Sequence, residues 1–386
     1  MPDAKRIERL LADAVASGNL PGVAVAIASD SGVLYEGAFG RRSLAAPAAM
    51  TPDTVAWIAS MTKAITTTAA MQLVERGKLG LDRPVAEVVP ELAALQVLEE
   101  IDAAGKERLR PAKRPVTLRH LLTHTSGFSY EFLNPLMKRY KDARGIPPGR
   151  SCRNVTLGIP LVFDPGERWE YGIGIDWAGK MVEAVSGMKL DRYLQDNVLG
   201  PLGMKSTAFR ISPDMRARKA AVHQRGADGS LKATEFEITQ EPEFHMGGGG
   251  LYGTATDYAR FMRMILNRGS LDGARILAPE TVALMAQNHI GALTIGDMVS
   301  ADPLVACDVP AVPGFPMKWG LGFLINEVAL PGGRSAGSLS WAGLANSHFW
   351  IDPAKNIAGV FVAQLLPFYD LQVMKAFRGF EMAAYR

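Results

Sequence analysis

The most informative stretch of the sequence is Ser60-Met61-Thr62-Lys63, which follows the short apolar stretch 55–59 and opens a predicted helix that runs to about Arg76. Side chains three residues apart share one face of a helix, so those of Ser60 and Lys63 can meet. The first N–H groups of a helix lack intrahelical partners and attract negative charge. A serine nucleophile needs a nearby proton acceptor and such donors for its oxyanion. The stretch can supply both, although so short a pattern also arises by chance at surface helix caps.

Four further segments follow in order along the chain. They are Leu121-Leu122-Thr123-His124-Thr125-Ser126-Gly127-Phe128, Pro165-Gly166-Glu167-Arg168-Trp169-Glu170-Tyr171, the glycine-rich run 247–261 and Trp319-Gly320-Leu321-Gly322-Phe323. With the first stretch they closely resemble the serine hydrolases of the class C β-lactamase fold. That superfamily includes penicillin-binding proteins, class C β-lactamases and the family VIII carboxylesterases. The resemblance runs from about residue 6 to the end of the chain, and five ordered segments make it specific.

The resemblance implies roles for three side chains. Ser60 matches the nucleophile, Lys63 its proton-transfer partner, and Tyr171 the tyrosine that shares the role of base and protonates the leaving group. The ordinary pKa values of lysine and tyrosine, about 10.4 and about 10, make either group alone a poor base at pH 7. Placed close together the two couple, since charged Lys63 favours the phenolate while burial favours the neutral amine. Which of them takes the serine proton stays open.

Two positions depart from the β-lactamase pattern. Ile173 stands where the Tyr-x-Asn motif has an asparagine that contacts a lactam amide, and Trp341-Ala342-Gly343 stands where that group has Lys-Thr-Gly. The cation that would pair with a β-lactam carboxylate is therefore absent from this motif. An apolar Trp341 favours an uncharged acyl or alcohol group, and a Trp-x-Gly motif resembles the esterase branch of the superfamily.

The resemblance also implies the surroundings of the nucleophile. The backbone N–H groups of Ser60 and Leu344 match the two donors of an oxyanion hole. Asp176, five residues after Tyr171, either supports the site by a hydrogen bond or is a solvated helix residue. The residues expected to form the substrate pocket are Tyr130, Trp341, Gly343 and His348.

Patterns at the two ends of the chain predict an α+β fold. The apolar stripe of an amphipathic helix, short apolar strands and turn residues alternate there. We expect an antiparallel β-sheet that is built from both termini, flanked by helices, and interrupted by an inserted, mostly helical lobe. The predicted helices cover 5–17 and 371–384, and the predicted strands cover 22–29, 33–39, 319–328, 338–341, 348–351 and 357–363.

The predicted domain organisation follows from this pattern. Residues 1–63 plus 261–386 form the sheet domain, residues 64–260 form the inserted lobe, and the active site lies at the seam between them. Such an arrangement resembles the transpeptidase domain of penicillin-binding proteins.

Composition and charge exclude several classes of partner. The chain has 386 residues and is 48% hydrophobic and 21% charged, which is typical of a globular protein. Its formal net charge of +3 gives no electrostatic case for a nucleic acid or a membrane surface as partner. No run approaches the ~18 apolar residues of a membrane helix. Because no secretory signal is visible either, we expect a cytoplasmic protein.

Neither a metal nor a cofactor is expected. The two cysteines form no CxxC motif, and His120 and His124, although four residues apart, lack both a third ligand and the glutamate of H-E-x-x-H. The G-x-S-x-G pattern around Ser335 lies between strand-like stretches without a following helix, so we interpret it as a hairpin turn. The run 245–250 resembles an HGGG oxyanion loop, but we interpret it as the glycine-rich entry to a strand that faces the site.

The sequence thus predicts a serine carboxylesterase that hydrolyses small, short-chain, uncharged esters through an acyl-enzyme on Ser60. One alternative is a β-lactamase or D-peptidase, which the missing Tyr-x-Asn and Lys-Thr-Gly motifs argue against. Another is acyl transfer to an alcohol or amine, which the same acyl-enzyme permits. A non-catalytic binding protein would be expected to lose Ser60, Lys63 or Tyr171, and all three are present.

Overall fold

A seven-stranded antiparallel sheet forms the centre of the fold. The computed structural model describes residues 2–385, and the sheet has the strand order β11-β12-β13-β14-β15-β1-β2. Strands from the two ends of the chain therefore lie side by side, as predicted. The strands of this sheet are β1 (Gly22–Ala28), β2 (Val33–Gly40), β11 (Met317–Trp319), β12 (Leu324–Asn326), β13 (Leu339–Gly343), β14 (Ser347–Asp352) and β15 (Ile357–Val362).

Helices cover both faces of the sheet. The first and last helices pack against each other on one face, and the eighth helix packs on β1, β14 and β15 from the other. The helices are α1 (Ala4–Ala16), α2 (Thr62–Glu75), α3 (Leu118–Thr123), α4 (Pro135–Arg144), α5 (Gly174–Ser186), α6 (Leu190–Leu194), α7 (Pro213–Ala217), α8 (Ala255–Leu266), α9 (Pro279–Met285) and α10 (Leu371–Ala384). No helix within residues 2–385 is long and apolar enough to cross a membrane.

The sequence of β1 shows why it lies at the middle of two cores. Successive side chains of a strand point to opposite faces. Ala24 and Ala26 join the large core on the α8 side, whereas Val23 and Val25 join the second core under α1 and α10. A strand buried on both faces reads as a continuous apolar run, which is what the sequence of β1 shows.

The lobe between the two parts of the sheet is helical with short strand pairs. These pairs join β3 to β8, β4 to β5, β9 to β10, and β6 to β7 and β16. The predicted domain boundaries at 63/64 and 260/261 fall inside α2 and α8. The strands of the lobe and its borders are β3 (Ala56–Trp57), β4 (Gln96–Ile101), β5 (Glu107–Pro111), β6 (His223–Arg225), β7 (Leu231–Ala233), β8 (Tyr252–Gly253), β9 (Ser270–Leu271), β10 (Ala274–Arg275) and β16 (Leu365–Leu366).

One predicted strand is wrong. The stretch 319–328 was expected to be continuous, but β11 and β12 form a hairpin in which Trp319 pairs with Leu324. The glycines make the turn: Gly320 N–H donates to the Phe323 carbonyl at 2.8 Å, and Gly322 has a φ of 84°. Only glycine adopts such a φ without steric cost.

Candidate active site

Ser60 lies in a tight turn between β3 and α2. The turn is a single 3-10 helix, Ala59–Met61, and Ala59 has a φ of 45°, which is strained for a residue with a Cβ. Two hydrogen bonds hold the turn against the strand-and-loop segment of Leu251: Ile58 N–H donates to the Leu251 carbonyl at 3.0 Å, and Leu251 N–H donates to Thr62 Oγ1 at 3.1 Å. The strained turn is thus fixed by its neighbours at the position of the predicted nucleophile.

Lys63 is fully buried one helical turn beyond Ser60. Its Nζ donates to Ser60 Oγ at 3.1 Å, to the Tyr130 hydroxyl at 3.0 Å and to the Gly248 carbonyl at 2.6 Å. Burial lowers the pKa of Lys63 to about 7, and the negative charge of Asp176 opposes this shift. Lys63 can therefore exist as a neutral amine near neutral pH, within hydrogen-bond distance of the serine hydroxyl.

A glycine-rich loop holds Lys63 through a single residue, Gly248. The Gly248 carbonyl accepts from Lys63, while the Gly248 N–H donates to Asp176 Oδ1 at 2.7 Å. A Cβ at Gly248 would lie 2.8 Å from Asp176 Oδ2, so the approach requires glycine. Asp176 is buried in the first turn of α5, and burial raises its pKa. The hydrogen bond expected of Asp176 is present, and it reaches Lys63 through the Gly248 backbone.

Tyr171 packs over Lys63 at the same seam. Lys63 Nζ lies 4.6 Å from the centroid of the Tyr171 ring, and Trp341 Nε1–H donates to the Tyr171 hydroxyl at 3.1 Å. Burial raises the pKa of Tyr171, and the Ser60 and Trp341 side chains oppose the shift. The ring is fixed by His124, whose centroid lies 4.7 Å away. The phenol therefore stays protonated at neutral pH and is suited to donate a proton.

The two N–H groups predicted to form an oxyanion hole belong to segments that meet across the seam. Ser60 and Leu344 both line the cleft, and Leu344 directly follows β13. A Cβ on Gly343 would lie 2.4 Å from the Ile58 carbonyl oxygen, so glycine permits the approach of β13 to the serine turn. Within residues 2–385, neither the Ser60 nor the Leu344 N–H donates in any backbone hydrogen bond outside helices and strands. An oxyanion hole at this seam, built from these two N–H groups, stays a prediction.

The cleft above these groups is mainly apolar. It lies between the lobe and the sheet domain and is narrow, with about 70 Å³ of space for the centres of water-sized molecules. Aromatic and aliphatic side chains dominate its walls, and charged groups enter at only three positions among the residues described. The apolar lining includes Trp57, Tyr130, Phe132, Leu133, Leu157, Tyr171, Ile173, Phe244, Met246, Met298, Val309, Trp341, Leu344 and Phe368, and the charged positions are Glu131, Arg150 and Asp176.

Two residues expected in the substrate pocket lie elsewhere. Gly343 is a spacer under the serine turn and does not line the cleft. His348 stacks on Phe377 of α10 at 4.4 Å and lines a second cavity, which adjoins the cleft and shares Trp341 and Phe368 with it. The physical reason is strand alternation: Trp341 pairs with Phe349 and shares its face, so the neighbouring His348 points to the opposite face. The pocket position expected of His348 is therefore wrong for this cleft.

Sequence reasoning missed two contributions to the site. Tyr130 was expected only as a wall, but its hydroxyl accepts a hydrogen bond from Lys63, and burial raises its pKa well above the ordinary value. The Gly248 carbonyl was not predicted at all. The run 245–250 does face the site, and its glycine content was the signal that a close backbone approach was required.

The remaining motifs have structural roles. Ser335 lies in the loop between β12 and β13, where its N–H donates to Asp352 Oδ2 at 2.8 Å. His120 closes the start of α3, its Nδ1 accepting from Thr117 N–H at 3.2 Å, and His124 ends the same helix. No cluster of three or more His, Cys, Asp or Glu side chains suited to a metal occurs in the part of the chain that the structure describes.

The chain is similar to known proteins over nearly its whole length. The family model described as "Beta-lactamase" matches residues 7–379. The monacolin J acid methylbutanoyltransferase of Aspergillus terreus is 36% identical over 98% of this chain and 95% of its own. The lovastatin esterase of Penicillium rubens is 33% identical over 91% of this chain and 90% of its own.

Solved structures show the same fold over the full length. Unliganded simvastatin synthase of Aspergillus terreus superposes with a TM-score of 0.82 at 33% identity, covering 99% of this chain and 98% of that one. A structure described as "EstCE1, a hydrolase with promiscuous acyltransferase activity" has a TM-score of 0.80 at 24% identity, covering 99% and 98%. The chain therefore belongs to the beta-lactamase family, as a serine hydrolase or acyltransferase.

Proposed function

We propose that this protein is a serine carboxylesterase that hydrolyses esters of short, uncharged acyl groups through an acyl-enzyme on Ser60. The observation that carries the proposal is the 3.1 Å contact between Ser60 Oγ and Lys63 Nζ at the floor of an apolar cleft. Trp341 stands in that cleft where a β-lactamase has the lysine of its third motif, so an uncharged acyl group fits better than a carboxylate beside the nucleophile.

The geometry supports a division of roles between the two proton-transfer groups. Lys63, with its pKa lowered to about 7, accepts the Ser60 proton as the hydroxyl attacks the ester carbonyl. The N–H groups of Ser60 and Leu344 bind the oxyanion. Tyr171, whose pKa burial raises, donates its proton to the departing alcohol. A water then attacks the acyl-enzyme and gives a proton to the Tyr171 phenolate, while Lys63 returns its proton to Ser60 as the carboxylic acid leaves. The Trp341 indole stabilises negative charge on the Tyr171 oxygen in that step.

Acyl transfer to an alcohol is the second candidate, because it differs only in the group that accepts the acyl chain. The observation in its favour is the similarity over 98% of the chain to a methylbutanoyltransferase. An apolar cleft also favours an organic acceptor over water, since it lowers the local concentration of water. β-Lactam hydrolysis is less favoured, because Ile173 and Trp341 replace groups that would bind a lactam amide and its carboxylate.

The test compares two serine variants on 4-nitrophenyl butyrate. Ser60→Ala should abolish turnover, and Ser335→Ala should retain it, because Ser335 lies outside the cleft in a hairpin loop. Nitrocefin turnover measured beside the ester ranks the lactamase alternative, and product analysis with an added alcohol measures transfer. A far higher kcat/KM for nitrocefin, or loss of ester turnover in Ser335→Ala alone, contradicts the proposal. A labelled organophosphonate that fails to modify Ser60 would indicate a non-catalytic binding protein.

A further inference from the structure

The lobe side of the cleft carries a cation that the proposed chemistry does not use. Arg150 lies in the 3-10 helix Gly149–Ser151, half-buried, and lines the same cleft as Ser60. Among residues 2–385 its guanidinium has neither a side-chain hydrogen bond nor an ion pair. By contrast, the nearby Arg153 is exposed and lies 3.6 Å from Glu243. Its N–H donors are not among the buried groups that lack a partner, so water reaches them, and a ligand in the cleft can displace that water.

The acidic groups of the cleft are already bound to other partners. Glu131 accepts from Lys141 Nζ at 2.9 Å and from Gly149 N–H at 3.3 Å. Asp176 accepts from Gly248 N–H and interacts with the charge of Lys63. Each acid therefore has a cationic counterpart, and the positive charge of Arg150 is left without one.

We infer that Arg150 binds a carboxylate on the alcohol portion of the ester. This inference rests on the proposed function and narrows its substrate class. A guanidinium presents paired N–H donors that match the two oxygens of a carboxylate, and the pair is stronger beside apolar surface than in water. The acyl group lies at the serine, against Trp341 and Leu344, where the amine of Lys63 is already bound to the Tyr130 hydroxyl and the Gly248 carbonyl and serves as the base. The alcohol extends into the rest of the cleft, where Arg150 is the unpaired charge. The cation that binds the carboxylate thus belongs to the lobe, because the third motif on β13 has Trp341 in place of a lysine.

The test measures the preference between two matched esters. One is the butyrate ester of 4-(hydroxymethyl)benzoic acid, and the other is the butyrate ester of its methyl ester, which lacks the charge. The ratio of kcat/KM for the acid to kcat/KM for the neutral ester should fall about tenfold in Arg150→Gln, as expected for loss of a charge-assisted pair. The ratio for Arg150→Lys should lie between those of the wild type and Arg150→Gln, because lysine keeps the charge but lacks the paired N–H donors of a guanidinium. Arg153→Gln, on the same loop but outside the cleft, is the matched control and should keep the wild-type ratio.

Each outcome has a distinct meaning. If the wild type turns over 4-nitrophenyl butyrate but neither benzyl ester, the function stands and the inferred alcohol is refuted; if it turns over none of the three, the proposed function fails. If it turns over both and the ratio is the same in Arg150→Gln, the function stands and the role of Arg150 is refuted. An equal fall of the ratio in Arg153→Gln would refute it too, because the effect would then reflect only the general charge of the loop. A second pair, 4-nitrophenyl hydrogen glutarate and its methyl ester, places the carboxylate on the acyl group, and an Arg150-dependent preference confined to that pair would overturn the assignment to the alcohol.

Discussion

Replacing Trp341 by phenylalanine removes one hydrogen bond from the site and keeps an aromatic ring. The indole N–H donates to the Tyr171 hydroxyl at 3.1 Å, while the ring packs 4.9 Å from Tyr171 and 4.6 Å from Trp319. Phenylalanine fills most of that volume but cannot donate. A hydrogen bond to an oxygen that gains charge contributes about 1.5–3 kcal/mol. Its loss should lower kcat by about 10- to 150-fold, because the charge on Tyr171 develops as it gives its proton to the alcohol.

The assay is the pH dependence of kcat and kcat/KM on benzyl butyrate, whose alkoxide leaving group needs a proton, with Tm measured in parallel. The donated hydrogen bond holds the pKa of Tyr171 down, so its loss raises that pKa further. If Lys63 is the base, the acid limb of the profile keeps its midpoint in Trp341→Phe. Trp319→Phe is the matched control, since its indole donates to the Leu122 carbonyl rather than to Tyr171. The reasoning is refuted if Trp341→Phe lowers kcat less than threefold, or if Trp319→Phe lowers it equally at equal Tm.

Two further predictions concern the charge of Lys63. In the wild type, kcat/KM should rise with pH around pH 7 as Lys63 loses its proton. Asp176→Asn keeps an acceptor for the Gly248 N–H but removes the negative charge that raises the pKa of Lys63. The midpoint of the pH–rate profile should therefore move down by about one pH unit in this variant. A shift upward in the pH–rate profile would contradict this. Lys63→Met should raise Tm by several degrees at pH 6 and by much less near pH 10.5. A lysine whose pKa is lowered in the folded state destabilises that state fully below pH 7, and this destabilisation is lost as the pH rises above the pKa of the unfolded chain. Thermal melts of wild type and Lys63→Met at both pH values check this prediction. An equal gain in Tm at pH 6 and pH 10.5 would show that burial of the Lys63 charge is not the cause of the gain.

Local patterns predicted the parts of the site that lie close together in the sequence. Ser60 and Lys63 share a helical turn, so their contact follows from the helix period alone. The bonds from Lys63 to Tyr130 and Gly248 join distant segments, and no spacing could show them. The face of His348 depended on the register of β13 with β14, because a shift of one residue turns every side chain of a strand to the other face.

The fold was predictable for a related reason. Short apolar strands and turn residues marked the strands of both termini, and the ordered motifs fixed how they come together. The hairpin of β11 and β12 was missed because its glycines lie inside an apolar stretch. Within such a stretch the sequence does not distinguish a turn from a continuous strand. Gly320 lies close to the end of α9, where a Cβ would be 2.2 Å from the Met285 carbonyl oxygen.

The pairing of β1 with β15 has a consequence for how the chain is made. Ala26 of β1 lies opposite Val360 of β15, so this central strand gains its second neighbour only after almost the entire chain has left the ribosome. Until then β1 has an unpaired edge of seven apolar or small residues, Gly22–Ala28. A topology dominated by such distant contacts folds slowly and exposes aggregation-prone edges during synthesis. The yield of folded protein in a heterologous host should therefore depend strongly on growth temperature and on chaperone supply, even if the folded enzyme itself is stable.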